Sequence, residues 1–223
     1  MINIRDLKKS ELEFAKSLTD QEDWSNSTED WNRLFRISIP LVAFEKEELL
    51  GIATPFDYGN LGMIGNVVVS SNHQGKGVGR ALIKESMQRL ESCDTVRVHS
   101  NMDVISFYKN LDFMAEGMST LFRLDADRKS FQPFDIDTDD NIVSAESYWD
   151  EILAMDLRQF GADRSKFLKE INDYLPECSF VALGKDGEVK GFIMAKGEDN
   201  WYEIGPWIVE PGCKNWQGLL QSS

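Results

Sequence analysis

The run Val67-Val68-Val69-Ser70-Ser71-Asn72-His73-Gln74-Gly75-Lys76-Gly77-Val78-Gly79-Arg80-Ala81-Leu82 constrains this chain more than any other segment. It reads as a β-branched strand, a loop with alternating glycines, and a helix. Glycines allow consecutive backbone N–H groups to turn toward one anion, and a helix starting near Gly77 adds the positive end of its dipole. The order therefore predicts a phosphate cradle for a ligand that carries a pyrophosphate.

Spacing separates the kinds of phosphate loop. A P-loop needs Gly-Lys followed by Ser or Thr, whereas Gly75-Lys76 is followed by Gly77. A dinucleotide fingerprint needs its glycines in a tight turn directly after the strand, but Ser70 to Gln74 intervene and the third glycine comes one position early. Asp94 precedes the next strand instead of ending it, which places it poorly for a ribose.

The following residues narrow the reading. Gly79, Ile83, Met87 and Leu90, with Val78 and Leu82 beside them, recur at helical spacing and predict an amphipathic helix packed on a sheet. Thr95-Val96-Arg97-Val98-His99 alternates like a strand. Asn101 is placed to cap a helix carrying Val104, Phe107, Tyr108 and Leu111.

Two patterns in this order resemble the GNAT superfamily of N-acetyltransferases. Gln74-x-x-Gly77-x-Gly79 after a hydrophobic strand is similar to its acetyl-CoA loop. Asn101, with Phe107-Tyr108-Lys109-Asn110-Leu111-Asp112-Phe113, is similar to its second signature. Asp112 stands where the family usually has Gly, and Asp tolerates the left-handed conformation that stops a helix.

The resemblance implies an α/β (α+β) fold: a mixed, mostly antiparallel twisted sheet flanked by helices. It implies that Val67, Val68 and Val69 pair with the pantetheine arm, and that amides of Gln74, Gly75, Lys76, Gly77, Val78 and Gly79 hold the pyrophosphate of acetyl-CoA. An acceptor amine then attacks the thioester directly in a ternary complex, a backbone N–H meets the oxyanion, and Tyr108 acts as general acid toward the departing thiolate. Asn101 either binds the cofactor or caps its helix. The acceptor is a primary amine, on a small molecule or a peptide. The family's usual glutamate is missing from Met63-Ile64-Gly65-Asn66-Val67. Asp57, Tyr58 and His99 could each work through water, or the amine could arrive neutral. That gap keeps a second function open: a catalytically silent acyl-CoA sensor or assembly module.

Composition agrees. The net charge of −14 argues against nucleic acid, so Lys76 and Arg80 must add local attraction for an anionic cofactor. The same charge favours a cationic amine or simply keeps the chain soluble. No apolar stretch reaches a membrane span, and Met1 to Asp6 begin no signal peptide, so a cytoplasmic location is expected. Cys93, Cys178 and Cys213 form neither a disulfide framework nor a zinc pattern. His73 is expected as a solvated turn residue, and Trp24 and Trp31 as core residues that could alternatively border the acceptor.

Elements expected before the cradle are a strand at Ile2 to Arg5, a helix opened by a Ser10/Glu13 capping box, and a second helix opened at Ser27 to Asp30. A hairpin of Leu41 to Phe44 with Leu49 to Ala53 follows, and Leu121 to Leu124 supply a final strand. This completes a catalytic domain over 1–126.

Residues 127–223 read as a partial second copy. A shift of 140 places Glu48-Leu49-Leu50-Gly51-Ile52 on Glu188-Val189-Lys190-Gly191-Phe192, and Met63-Ile64-Gly65 on Glu203-Ile204-Gly205. Val42-Ala43-Phe44 falls on Val181-Ala182-Leu183 with a slip of one. Asp156 with Phe160-Gly161-Ala162-Asp163-Arg164 resembles the C-terminal repeat of tandem GNAT proteins. After Trp207-Ile208-Val209 the alternating glycines are missing, so one cofactor site is expected. The half sheet leaves an edge. It implies a shortened form of a longer protein, or cover from the first domain or from a second subunit in a homo-oligomer. Asp135-x-Asp137-x-Asp139 copies part of a calcium loop but has Asp140 where Gly is needed, so no metal site is expected.

Overall fold

A computed structural model describes residues 1–24, 26–122, 141–198, 201–213 and 216–222. The chain divides into two compact units, Met1–Gly117 and Met118–Ser223. The boundary expected at 126/127 lies outside the described residues, as does the calcium-like acidic run. No helix among the described residues is long and apolar enough to cross a membrane.

Unit 1 is a five-stranded sheet with helices on both faces. Its elements are β1 (Asn3–Asp6), α1 (Leu12–Gln21), α2 (Thr28–Ile37), β2 (Leu41–Glu45), β3 (Glu48–Asp57), β4 (Leu61–Val69), α3 (Val78–Arg89), β5 (Thr95–Val98) and α4 (Ile105–Lys109). The strands lie in sequence order; β1 to β4 are antiparallel neighbours and β5 is parallel to β4.

The period-2 alternation of each strand decides which helix covers which face. Val42, Ile52 and Val68 point to α1 and α2 and pack with Leu12, Ala15, Leu18 and Trp31. Their neighbours Leu41, Ala43, Ala53, Val67 and Val69 point the other way, toward Val78 and Leu82 of α3. Gly51 brings β3 close to β4: a Cβ there would lie 2.7 Å from the Val68 carbonyl oxygen.

Helix starts differ in how well local pattern locates them. Ser27 and Asp30 form a reciprocal capping box at the expected start of α2. Ser10 and Glu13 do not open α1. Lys9–Glu11 form a 3-10 turn, the Glu11 carboxylate accepts from the Lys8 N–H at 2.9 Å, and α1 begins at Leu12. The reason is Arg5, which holds Glu11 in a two-pronged ion pair at 2.7 and 2.8 Å. The expected strand at Leu121 to Leu124 is also corrected. Leu121 and Phe122 lie in no regular element and are 91% and 89% exposed, while Arg123 and Leu124 fall outside the described residues.

Unit 2 is a four-stranded antiparallel sheet, β6 (Asn141–Ser144), β7 (Phe180–Leu183), β8 (Val189–Glu198) and β9 (Trp201–Val209), in that order. Helices α5 (Trp149–Phe160), α6 (Ser165–Tyr174) and α7 (Trp216–Ser222) accompany it. Its register matches that of unit 1 at several points. Ala43 faces Gly51 before a bulge, and Ala182 faces Gly191 before another. Gly51 faces Val69, and Gly191 faces Val209. A Cβ on Gly51 would meet Leu82 at 3.3 Å, and one on Gly191 would meet Leu219 at 3.2 Å. The run from Asp156 to Arg164 closes a partly buried ion pair. α5 stops at Gly161, with φ +88°, and Arg164 returns to Asp156 at 2.7 and 2.8 Å while lying over the Phe160 ring.

Candidate active site

The site is built where β4 and β5 part. The two strands pair from Leu61 opposite Thr95 to Ile64 opposite Val98; β5 ends there and β4 runs on to Val69. In an open sheet with parallel strands, this opening past the carboxyl ends is where ligands bind.

Hydrogen-bond direction along β4 follows from its register with β3. Ser70 N–H donates to Leu50 O at 2.9 Å, and Ile52 faces Val68. Alternation then turns the polar groups of Val67 and Val69 away from β3, into the opening. The Val69 carbonyl shows this directly, accepting from Gln74 Nε2 at 3.2 Å. Val68 instead buries its side chain against α1 and α2. Gln21, which sequence reasoning missed, ties the end of α1 to the same turn: its amide oxygen accepts from Ser71 N–H at 3.1 Å.

The loop past β4 has the backbone expected of an anion cradle. Gly75 and Gly77 take φ +72° and +86°, Gly77 is the N-cap of α3, and a Cβ at either position would meet nothing within 4 Å. These glycines serve conformation, not packing. Gly79 lies against Phe107, where a Cβ would make an ordinary contact at 3.4 Å. Val78 is 2% exposed, so only its backbone is available to a ligand. The two cations are already engaged. Lys76 Nζ donates to Asn72 O at 2.8 Å, and Arg80 Nη2 donates to Asn110 O at 3.1 Å, tying α3 to the end of α4.

Tyr108 sits on α4 and is 9% exposed. It shares a core cluster with Ile64, Val67 and Val98, the residues at the parting strands. Phe107 and Phe113 meet its ring edge-on at 5.0 and 5.9 Å. Burial pushes its phenol pKa up, because desolvation disfavours the phenolate. Asp112 takes φ +65°, the left-handed stop its position requires. Asn101 precedes a 3-10 turn at Met102–Val104 but makes no side-chain cap bond, so the capping expectation holds only for its backbone, whose carbonyl accepts from Val104 N–H at 3.2 Å.

The other candidates separate by position. Asp57 faces Gly62, and from Gly62 to Val67 is about 16 Å of strand at roughly 3.3 Å per residue. Asp57 and Tyr58 are thus at the wrong end of β4. His99 follows Val98 at the opening itself and is exposed. Arg97, on the same strand face as His99, pairs with Glu116 at 2.9 Å, a contact that joins residues too far apart for local pattern to reveal. His73 is not a freely solvated turn residue: its side chain is 19% exposed, with Nε2 3.5 Å from Glu48. Trp31 is fully buried and donates to Thr19 at 3.3 Å, and Trp24 packs on the same core.

The family model described as "Acetyltransferase (GNAT) family" matches residues 2–113. Among curated relatives, the chain is 26% identical over 155 residues to the uncharacterized N-acetyltransferase YitH of Bacillus subtilis (strain 168), covering 69% of this chain and 53% of that protein. The chain therefore spans about half the length of this relative. Among solved structures, a putative acetyltransferase from Pyrococcus horikoshii superposes with a TM-score of 0.72 at 20% identity, covering 99% of this chain and 75% of that one. The glucosamine N-acetyltransferase region of a fungal multi-domain beta-N-acetylglucosaminidase gives 0.68 at 14% identity, covering 99% and 33%. These two likenesses bear on the fold. With the family model spanning the strand, cradle and Tyr108 segments alike, the chain belongs to the GNAT acetyltransferase family.

Proposed function

We propose that unit 1 is an acetyl-CoA-dependent N-acetyltransferase acting on a primary amine of a small molecule or a peptide. The observation that carries this reading is the parting of β4 from β5 between a glycine cradle at one end and a buried phenol at the other. The residues fit the co-substrate by shape. The open space above Gly75 and Gly77 leaves their N–H groups accessible to a pyrophosphate, and the outward polar groups of Val67 and Val69 match an amide-bearing arm.

Acetyl-CoA supplies the activated acyl group. The chain orients it: the cradle fixes one end and β4 the other, so that the thioester meets the amine at a set distance. A β4 N–H donates to the carbonyl oxygen as it gains negative charge. As the C–N bond forms and the C–S bond breaks, Tyr108 gives its phenolic proton to the sulfur, the amine's surplus proton leaves toward solvent at His99, and solvent returns one proton to the phenolate to close the cycle. Burial that raises the phenol's proton affinity raises the thiolate's as well, so the transfer stays close to balanced. Reduced Cys93, Cys178 and Cys213 suit a cytoplasmic setting. Unit 2 is a degenerate copy that keeps the glycine-bulge register but not the cradle.

Calorimetry with CoA and a free-thiol assay over a panel of amines test this together. Binding with amine-dependent thiol release is the expected result, and no binding at physiological salt would sink it. The exposure of His99 and the distance of Asp57 favour a second reading, an acyl-CoA sensor that binds without turnover on any amine.

A further inference from the structure

β4 carries one irregularity, and it lies at the opening. Ile52 faces Val68 and Thr54 faces Gly65, so Asn66 and Val67 together occupy the place opposite Ala53. The extra residue is Asn66, which takes φ +45°. A non-glycine residue in this region needs a local reason. The structure supplies one: Asn66 Nδ2 donates to Thr54 Oγ1 at 3.1 Å, and Thr54 is completely buried. A Cβ on Gly65 would lie 3.1 Å from that same oxygen, so the glycine keeps room for the contact. In unit 2 the register shift lies between Ile193 and Ala195, opposite Gly205-Pro206, where no asparagine stands.

The bulge changes which way the strand faces. Before it, Ile64 packs with Tyr108; after it, Val67 packs with the same cluster, three positions on instead of two or four. Without the extra residue, the alternation from Ile64 would turn Val67 toward α1 and α2. Of the two N–H groups turned into the opening, Val69 lies by the cradle and Val67 by Tyr108.

We infer that Asn66 and Thr54 are positioning residues for acyl transfer: their hydrogen bond holds the bulge that aims Val67 N–H at the thioester carbonyl oxygen. This rests on the acetyl-CoA reading above. Neither side chain touches the reacting atoms.

The test uses Thr54→Val, which keeps the shape and removes the acceptor oxygen, Thr54→Ser, which keeps the oxygen, and Asn66→Gly, which permits the positive φ without the side chain. Losing an oxyanion donor costs about 10²–10³ in kcat, and loosening one costs part of that. Thr54→Val and Asn66→Gly are expected to lower kcat about ten- to thirtyfold with CoA affinity within about twofold of wild type. Thr54→Ser restores the rate. A readout independent of the acceptor is the Val67 amide resonance in wild type and Asn66→Gly. Acetyl-CoA should shift it more than CoA, which lacks the carbonyl, and the difference should shrink in the variant. If kcat and CoA affinity fall together, if Thr54→Ser behaves like Thr54→Val, or if the amide fails to distinguish the two ligands, the inference is overturned. Should neither ligand bind wild type, the acetyl-CoA reading itself has failed, which is a different result.

Discussion

Replacing Tyr108 with Phe separates the chemistry of the site from its architecture. The ring would keep its edge-on contacts with Phe107 and Phe113, since only the hydroxyl is removed. That hydroxyl has no protein hydrogen bond among the described residues, so folding stability should change by no more than about 1 kcal/mol. Catalysis should respond differently. General acid catalysis contributes about 10²–10⁴, or roughly 3–5 kcal/mol of barrier. A loss of at least 10² in kcat is expected at unchanged CoA affinity. The pH profile adds a second check. Burial raises the phenol above its ordinary value of 10.0, so the acid stays protonated, and its contribution intact, throughout the neutral range and up to that value. The same shift means that any stability the neutral phenol contributes is present below its ordinary pKa and is lost as pH rises through the raised one. Thiol release measured against pH, with calorimetry for CoA, decides the matter. If Tyr108→Phe stays within about threefold of wild type on every amine that is a substrate, Tyr108 is a core aromatic and not the acid.

Three further outcomes follow from the geometry. Gly77→Ala places a side chain at φ +86° without any steric contact, so it should cost about 1–2 kcal/mol by denaturant melts and weaken CoA about tenfold; an unchanged affinity at that stability loss removes the cradle from the site. Gly51→Ala and Gly191→Ala each drive a Cβ to within 3 Å of a strand carbonyl, 2.7 Å at Val68 and 2.9 Å at Ile208. Each should cost about 2–4 kcal/mol, localised by hydrogen exchange to its own sheet, and a loss spread evenly over both sheets contradicts the matched register. The Arg5 guanidinium, hydrogen-bonded to Glu11, holds that carboxyl below the ordinary 4.5, so the pair's stabilisation is present above that value and is lost as pH falls through the lowered one. Glu11→Gln should flatten that acid limb in pH-dependent melts and leave neutral-pH CoA binding intact.

What the sequence made legible was what neighbouring residues decide. Gly75 and Gly77 announce a positive φ, Asp112 tolerates one, and Phe107, Tyr108 and Leu111 mark a packed face within a single stretch, whereas Val104, read with them, lies in the preceding 3-10 turn and is 43% exposed. The features it hid depend on distant partners. The bulge at Asn66 exists only relative to β3, Glu11 closes a 3-10 turn ahead of α1 where Arg5 reaches it, and Gln21 meets Ser71 across the end of the sheet. Lys76 and Arg80 illustrate a subtler limit. Their charge was readable, but that each donates to a backbone carbonyl, one in the loop and one at the end of α4, was not.

Gly79 makes the anion seat and the phenol parts of one gauge. Phe107 lies 3.4 Å from where a Cβ on Gly79 would stand, and Tyr108 is the next residue, so the packing of α3 on Phe107 sets how far the proposed acid stands from the proposed phosphate seat. The arm of the proposed co-substrate has a fixed reach, and misplacing a reacting group by about 1 Å can cost 10²-fold in rate. A bulkier residue at Gly79 would therefore leave the phosphates seated while the sulfur missed its proton. The tolerance of the reaction is machined into a contact between two helices, away from any atom that reacts.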